Sequence, residues 1–156
     1  MKTNLNTRNI LIIEDDRAIL EILTELLEHH NYGVDSAANG KKGLLALEKQ
    51  IPDLIILDIM MPEMDGYQVC EKLKDDPATA PIPVIMITAL NEREDRLKGI
   101  DCGANDFLTK PIDPKEVALR SRNAVRAKQL YDTVQENLVK LKELEELRDN
   151  LDNMVI

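Results

Sequence analysis

Four short apolar runs punctuate this chain, and each leads to a polar or charged side chain. Ile10-Leu11-Ile12-Ile13 gives way to Glu14-Asp15, and Leu54-Ile55-Ile56-Leu57 to Asp58. Val84-Ile85-Met86-Ile87 gives way to Thr88, and Phe107-Leu108-Thr109 to Lys110. Apolar runs of this length, without polar alternation, predict strands of a parallel sheet buried on both faces. A further strand is predicted over Val34 to Ala38, after the turn residues Asn31-Tyr32-Gly33.

Between the runs the apolar period lengthens to that of a helix. Ile19, Leu20, Ile22, Leu23, Leu26 and Leu27 form a stripe on a helix predicted from Arg17 to His29, with Asp16 as its cap. Asn39-Gly40 leads into a second helix through Leu44, Leu45 and Leu47, and Pro52-Asp53 opens the strand that ends on Asp58. A short third helix is predicted over Tyr67 to Leu73, behind the turn-rich Pro62 to Gly66. Three prolines between Asp75 and Pro83 demand a loop. Asn91 is placed to cap a fourth helix that ends near Gly103. Strands thus alternate with helices five times. That order predicts right-handed crossovers and a doubly wound α/β domain over residues 9–127, preceded by a tail of residues 1–8.

The last segment differs in kind. After Pro114, which suits a first helical turn capped by Asp113, there is neither Gly nor Pro up to Ile156. A helix of that length spans about 60 Å, too long for the last helix of a compact domain. Tyr131, Val134, Leu138 and Leu141 follow heptad steps; Leu144, Leu147, Leu151 and Met154 repeat them in a register shifted by one residue. Lys140, Lys142, Glu143, Glu145, Glu146 and Arg148 supply a solvated exterior. Residues 128–156 therefore read as a coiled-coil linker. The expected partner is a second copy in a parallel homodimer; the alternative is a domain outside this chain.

Groups at the carboxyl ends of parallel strands converge in one crevice, where open α/β sheets bind ligands. Three carboxylates, a hydroxyl and an ammonium are expected there. Singly, each acid reads as a helix cap or a solvated loop residue. Together they suit a magnesium ion, which takes hard oxygen ligands. Asp15 and Asp58 are the expected direct ligands, Glu14 can act through a water, and the backbone carbonyl of Met60 can complete the set. Asp58 has a second possible role, because a carboxylate can attack phosphorus and become an acyl phosphate. Lys110 would pair with the acid or with phosphoryl oxygens, and the Thr88 hydroxyl would donate to another oxygen beside the small Ala89. The Lys110–Pro111 bond is a candidate cis peptide.

Composition narrows the classes. With 156 residues, 44% of them apolar, the chain can bury a core, and with 3% aromatics that core must be aliphatic. The net charge of -9 argues against nucleic-acid binding by this segment. No run approaches a membrane span and the first nine residues carry no apolar signal region, so the expected location is the cytoplasm. Cys70 and Cys102 have no metal or redox spacing and read as reduced thiols. His29 and His30 are favoured at a helix end by the dipole, without a metal or phosphorelay role.

These residues carry a resemblance. Ile12-Ile13-Glu14-Asp15-Asp16 and the stretch from Leu57-Asp58 through Pro62 to Asp65-Gly66 resemble the bacterial response-regulator receiver domain, of the chemotaxis-receiver class. Val84 to Ala89 and Asp106 to Pro111 complete the match. The resemblance implies a flavodoxin-like, five-stranded parallel sheet in the order 2-1-3-4-5, here with an extended C-terminal helix. It implies that Asp58 accepts a phosphoryl group from a histidine kinase with Mg2+ assistance. Glu14 and Asp15 become the acidic metal pair, Thr88 and Phe107 the switch pair, and Lys110 the conserved-type lysine. Glu14 departs from the family, which more often has Asp there. On phosphorylation Thr88 would move toward the phosphoryl group and Phe107 would turn inward. Met60 and Leu90 offer no group to orient a hydrolytic water, so a long-lived phosphoryl state is expected.

The segment 145–156 resembles the linker that precedes the dimerisation domain of sensor kinases. That implies an output domain outside this chain, such as a kinase or a diguanylate cyclase. The receiver itself is expected to be no turnover enzyme, although it promotes its own phosphorylation and dephosphorylation. Three rivals fare worse. A phosphatase of the haloacid-dehalogenase type needs a second acid two residues after its nucleophile, where Met60 stands. A degenerate receiver kept as a dimerisation module would have lost key residues, yet Asp15, Asp58, Thr88 and Lys110 are present. A flavodoxin-like cofactor binder needs a glycine- or hydroxyl-rich loop after the first strand, and none is there.

Overall fold

The computed structural model describes residues 7–89 and 93–154, the side chain of Asp95 excepted. Among the described residues, five strands alternate with five helices. These are β1 (Asn9–Ile13), α1 (Arg17–His29), β2 (Gly33–Ala37), α2 (Gly40–Lys49), β3 (Leu54–Asp58) and α3 (Gly66–Asp75). They are followed by β4 (Val84–Thr88), α4 (Arg93–Cys102), β5 (Asp106–Thr109) and α5 (Pro114–Met154). The strands are all parallel, in the order β2-β1-β3-β4-β5. This is the flavodoxin-like, doubly wound sheet expected from the chain, with its long C-terminal helix.

Alternation along each strand divides the core in two. Leu11, Ile13, Ile55, Leu57, Val84 and Met86 face Leu47 of α2, Val69, Cys70 and Leu73 of α3, and Cys102 of α4. Ile10, Ile12, Leu54, Ile56, Ile85 and Ile87 face Leu23 and Leu27 of α1 and Val117 and Val125 of α5. Burial of each Leu or Ile stabilises the fold by about 1.5–3 kcal/mol, and strands covered on both faces collect that contribution at every position. Polar alternation is absent from β1, β3 and β4 for this reason.

Side chains fix where the helices begin. Asp16 Oδ1 accepts from the backbone N–H of Ala18 at 2.9 Å and of Ile19 at 3.4 Å, so α1 starts directly behind the acidic strand end. Asn39 caps α2 through the Lys42 N–H at 2.8 Å. Asp65 and Gln68 form a reciprocal capping box that starts α3. Asp113 accepts from the Lys115 N–H at 3.0 Å, at the head of α5.

Three expectations are corrected. Ile22, placed in the apolar stripe of α1, is exposed, because the sheet reaches only as far as the row through Leu23 and Leu27. The second strand is Gly33–Ala37, one residue earlier than expected, and pairs Gly33 with Asn9. The third helix runs from Gly66 to Asp75 rather than over Tyr67 to Leu73, because the capping box starts it sooner. The expected cap at Asn91, the hydrolysis-neutral Leu90 and most of the N-terminal tail lie outside the described residues.

α5 is one unbroken helix of 41 residues, about 60 Å long, whose buried residues Val117, Ser121 and Val125 lie in its first third. Among the described residues, no helix is long and apolar enough to cross a membrane.

Candidate functional site: an acidic crevice at the strand ends

The strand register builds the site. Ile13 lies beside Leu57, so Glu14, just past β1, and Asp58, the last residue of β3, stand next to each other. Asp58 lies beside Ile87 and Thr88 beside Thr109, which carries Thr88 and Lys110 to the same edge. One carboxylate oxygen from each of Glu14, Asp15 and Asp58 lies within 4.8 Å of the others. The Lys110 ammonium stands 3.6 Å from Asp58 Oδ1. The lysine's backbone N–H donates to the Thr88 carbonyl at 2.9 Å, which ties the hydroxyl-bearing residue to it. The Lys110–Pro111 peptide is cis.

Burial sets the electrostatics. Glu14 and Asp58 are each 1% exposed and Thr88 is buried, whereas Asp15 is exposed. Glu14 Oε1 accepts from the Asp16 N–H at 3.0 Å, but Glu14 Oε2 is buried without a hydrogen-bond partner. Burial, and then the Asp58 carboxyl facing it, push Glu14 from 4.5 up to about 8. Two buried carboxyls face to face are costly to ionise together unless something cationic meets them. The donor set is all oxygen, it combines two buried acids with one open to solvent, and the two buried carboxyls face each other. These residues fit a hard divalent cation.

The β3–α3 turn holds Asp58 in place. The Met60 N–H donates to Asp58 Oδ1 at 3.3 Å, while the Met60 side chain points outward, 71% exposed. Gly66 closes the turn: its N–H donates to the Ile59 carbonyl at 2.9 Å, and a Cβ there would stand 2.5 Å from the Asp58 carbonyl oxygen. Only glycine permits that approach. Ile59, Met60, Met61, Pro62, Asp65 and Tyr67 line an open cavity of about 460 Å3 beside the acid.

Phe107 is the expected site residue that does not join the carboxylates. It is half-buried on β5 and packs toward α4, with Gly99 beneath its ring. The hydrophobic pattern passed over Gly99; an isolated glycine inside a helical segment was the available signal. Cys70 and Cys102 are buried and unbridged, and Cys70 Sγ donates to the Cys102 carbonyl at 3.4 Å. His29 and His30 are exposed at the far end of α1 from the crevice.

Comparison with known proteins places this arrangement. Residues 10–122 match the response regulator receiver domain. The chain belongs to that family. The receiver is 45% identical over 127 residues to the response regulator PleD of Caulobacter vibrioides, covering 81% of this chain and 28% of PleD. It is 48% identical over 118 residues to the DNA-binding dual master transcriptional regulator RpaA of Synechocystis, covering 75% of this chain and 48% of RpaA. A response regulator from Chloroflexus aurantiacus superposes with a TM-score of 0.76 at 34% identity, over 78% of this chain and 99% of that one. The chain therefore spans less than half the length of these two curated relatives. Receiver domains bind Mg2+ in an acidic pocket and take a phosphoryl group from histidine kinases, and this chain is a receiver of phosphorylation-dependent two-component signalling.

Proposed function

We propose that Asp58 is the phosphoacceptor of this receiver and that its phosphorylation is relayed through α5 to an output domain on the same polypeptide. The observation that carries the reading is the Asp58 carboxylate: buried, 3.6 Å from the Lys110 ammonium, and within 4.8 Å of two further acids. A carboxylate oxygen of Asp58 attacks the phosphorus of a kinase's phosphohistidine. The P–O bond forms as the P–N bond breaks, and the imidazole leaves with the electron pair of that bond. Glu14, Asp15, Asp58 and the backbone carbonyl of Met60 would hold Mg2+, which when bound neutralises charge on the transferring group. Lys110 pairs with a phosphoryl oxygen, and the Thr88 hydroxyl donates to another.

Thr88 and Phe107 form the proposed switch pair between two states of the α4–β5–α5 face. α5 continues from that face without a break across the boundary proposed near Ala127. Beyond it the proposed form is a parallel homodimeric coiled coil, whose pairing or rotation answers to phosphorylation.

Intact mass after incubation with Mg2+ and a small phosphodonor tests the chemistry, comparing the wild type with Asp58→Asn. One added phosphoryl group in the wild type alone is expected. A group added equally to both proteins would remove Asp58 from the role.

A further inference from the structure

Gly99 lies inside α4, where a glycine costs about 1 kcal/mol relative to alanine. Its backbone does not ask for glycine: among the described residues, Gly103 is the glycine with positive φ, at 98°. What asks for it is the space above. A Cβ on Gly99 would stand 2.7 Å from Phe107 Cε1, 2.9 Å from Phe107 Cζ and 3.1 Å from Met86 Sδ. Carbon atoms sit at about 3.5–4.0 Å in contact, so any side chain at 99 must displace something. The helix backbone is held by its own hydrogen bonds, and Met86 is fully buried in β4. The ring of Phe107, at the end of a two-torsion side chain and only half-buried, is the group that gives.

We propose that Gly99 is the seat of the switch, a positioning residue whose missing side chain lets Phe107 lie inward against α4. A side chain at 99 drives the ring toward solvent. This rests on the reading of Thr88 and Phe107 as the switch pair: if the seated ring belongs to the phosphorylated state, unseating it weakens that state. Coupling is reciprocal, so the loss is read as weaker binding of a phosphoryl analogue at Asp58.

Phe107 is the only phenylalanine in the chain, so incorporating fluorophenylalanine gives a single 19F resonance that reports the ring. The full chain is compared as wild type, Gly99→Ala, Phe107→Ala and the double variant, with beryllium fluoride and Mg2+ as the probe. Gly99→Ala is expected to move the resonance toward its solvent-exposed position. It should also weaken beryllium fluoride binding by about fivefold or more, the lower end of coupling between two sites. Thermal stability should not fall, because alanine favours the helix; a merely structural glycine would show the opposite. In the Phe107→Ala background, Gly99→Ala should change the affinity no further. An unmoved resonance overturns the seat, and so does an equal affinity loss with the ring absent. If the wild type binds no beryllium fluoride and takes no phosphoryl group, the phosphoacceptor reading fails, and the resonance alone decides the seat.

Discussion

Glu14 governs the pH behaviour of the crevice. Its carboxyl, raised to about 8 by burial and by Asp58, stays protonated in the folded, metal-free chain across a range in which the unfolded chain has lost the proton. The folded state then binds more protons than the unfolded state between about 4.5 and 8, so stability falls as pH rises through that window. The full difference is on the order of a few kcal/mol. Denaturant melts of the metal-free protein from pH 5 to 8.5 should show this decline, and Glu14→Gln should remove most of it. In the proposed metal site Mg2+ displaces the same proton. Its affinity should therefore rise with pH up to about 8, with close to one proton released per ion at pH 7. Titration calorimetry in two buffers of different ionisation enthalpy measures that number, and the absence of proton release would take Glu14 out of the metal site. The sequence made the acids of this site legible, because Glu14 and Asp58 end apolar runs. It did not make the donor-less Glu14 Oε2 legible, since that depends on how deep two strand ends, adjacent in the sheet but distant in sequence, sit relative to each other.

At the scale of the element, α1 separates what periodicity reports from what packing decides. Leu23 is fully buried and Ile22, its neighbour in the same predicted stripe, is 52% exposed. A stripe six residues wide is broader than the one sheet face that α1 can cover. Ile22 instead lines a shallow hollow of about 350 Å3 with Glu25, Leu26, His29 and His30. Leu23→Ala should cost about 2–5 kcal/mol in unfolding free energy, as removal of a core side chain does. Ile22→Ala should stay within about 0.5 kcal/mol. Equal costs in urea melts would place Ile22 in the core after all. Strand boundaries were legible for the opposite reason: an apolar run covered on both faces ends at the strand's end or one residue short of it, as Ile13 does in β1 and Leu57 in β3. The early start of α3 was hidden in a reciprocal side-chain bond between Asp65 and Gln68 that hydropathy does not register.

At the scale of the whole molecule, the anomaly is α5 beyond the receiver. Tyr131, Val134, Leu138, Leu141, Leu144, Leu147, Leu151 and Met154 are all exposed, and so are Leu130 and Val139, which the heptad stripe omitted. A run of exposed apolar residues this long on a free helix marks an interaction surface. In the proposed parallel pair, the acidic and basic residues flanking the stripe stay solvated. The step of three residues between Leu141 and Leu144, where four would keep the register, overwinds such a pair locally. A rotation imposed at the base of α5 would therefore improve packing on one side of that step and worsen it on the other. Single cysteines at Leu138 and at Leu147 read the two halves, and the native Cys70 and Cys102 are buried and do not compete. Adding beryllium fluoride and Mg2+ should change disulfide cross-linking at the two positions in opposite directions, and Asp58→Asn should abolish both changes. Replacing Leu138 and Leu141 by lysine should give a monomer by sedimentation that still accepts the phosphoryl group, because the crevice lies at the opposite end of the domain from the free helix. Cross-linking patterns identical with and without the analogue would mean that α5 joins two copies without carrying the signal between them.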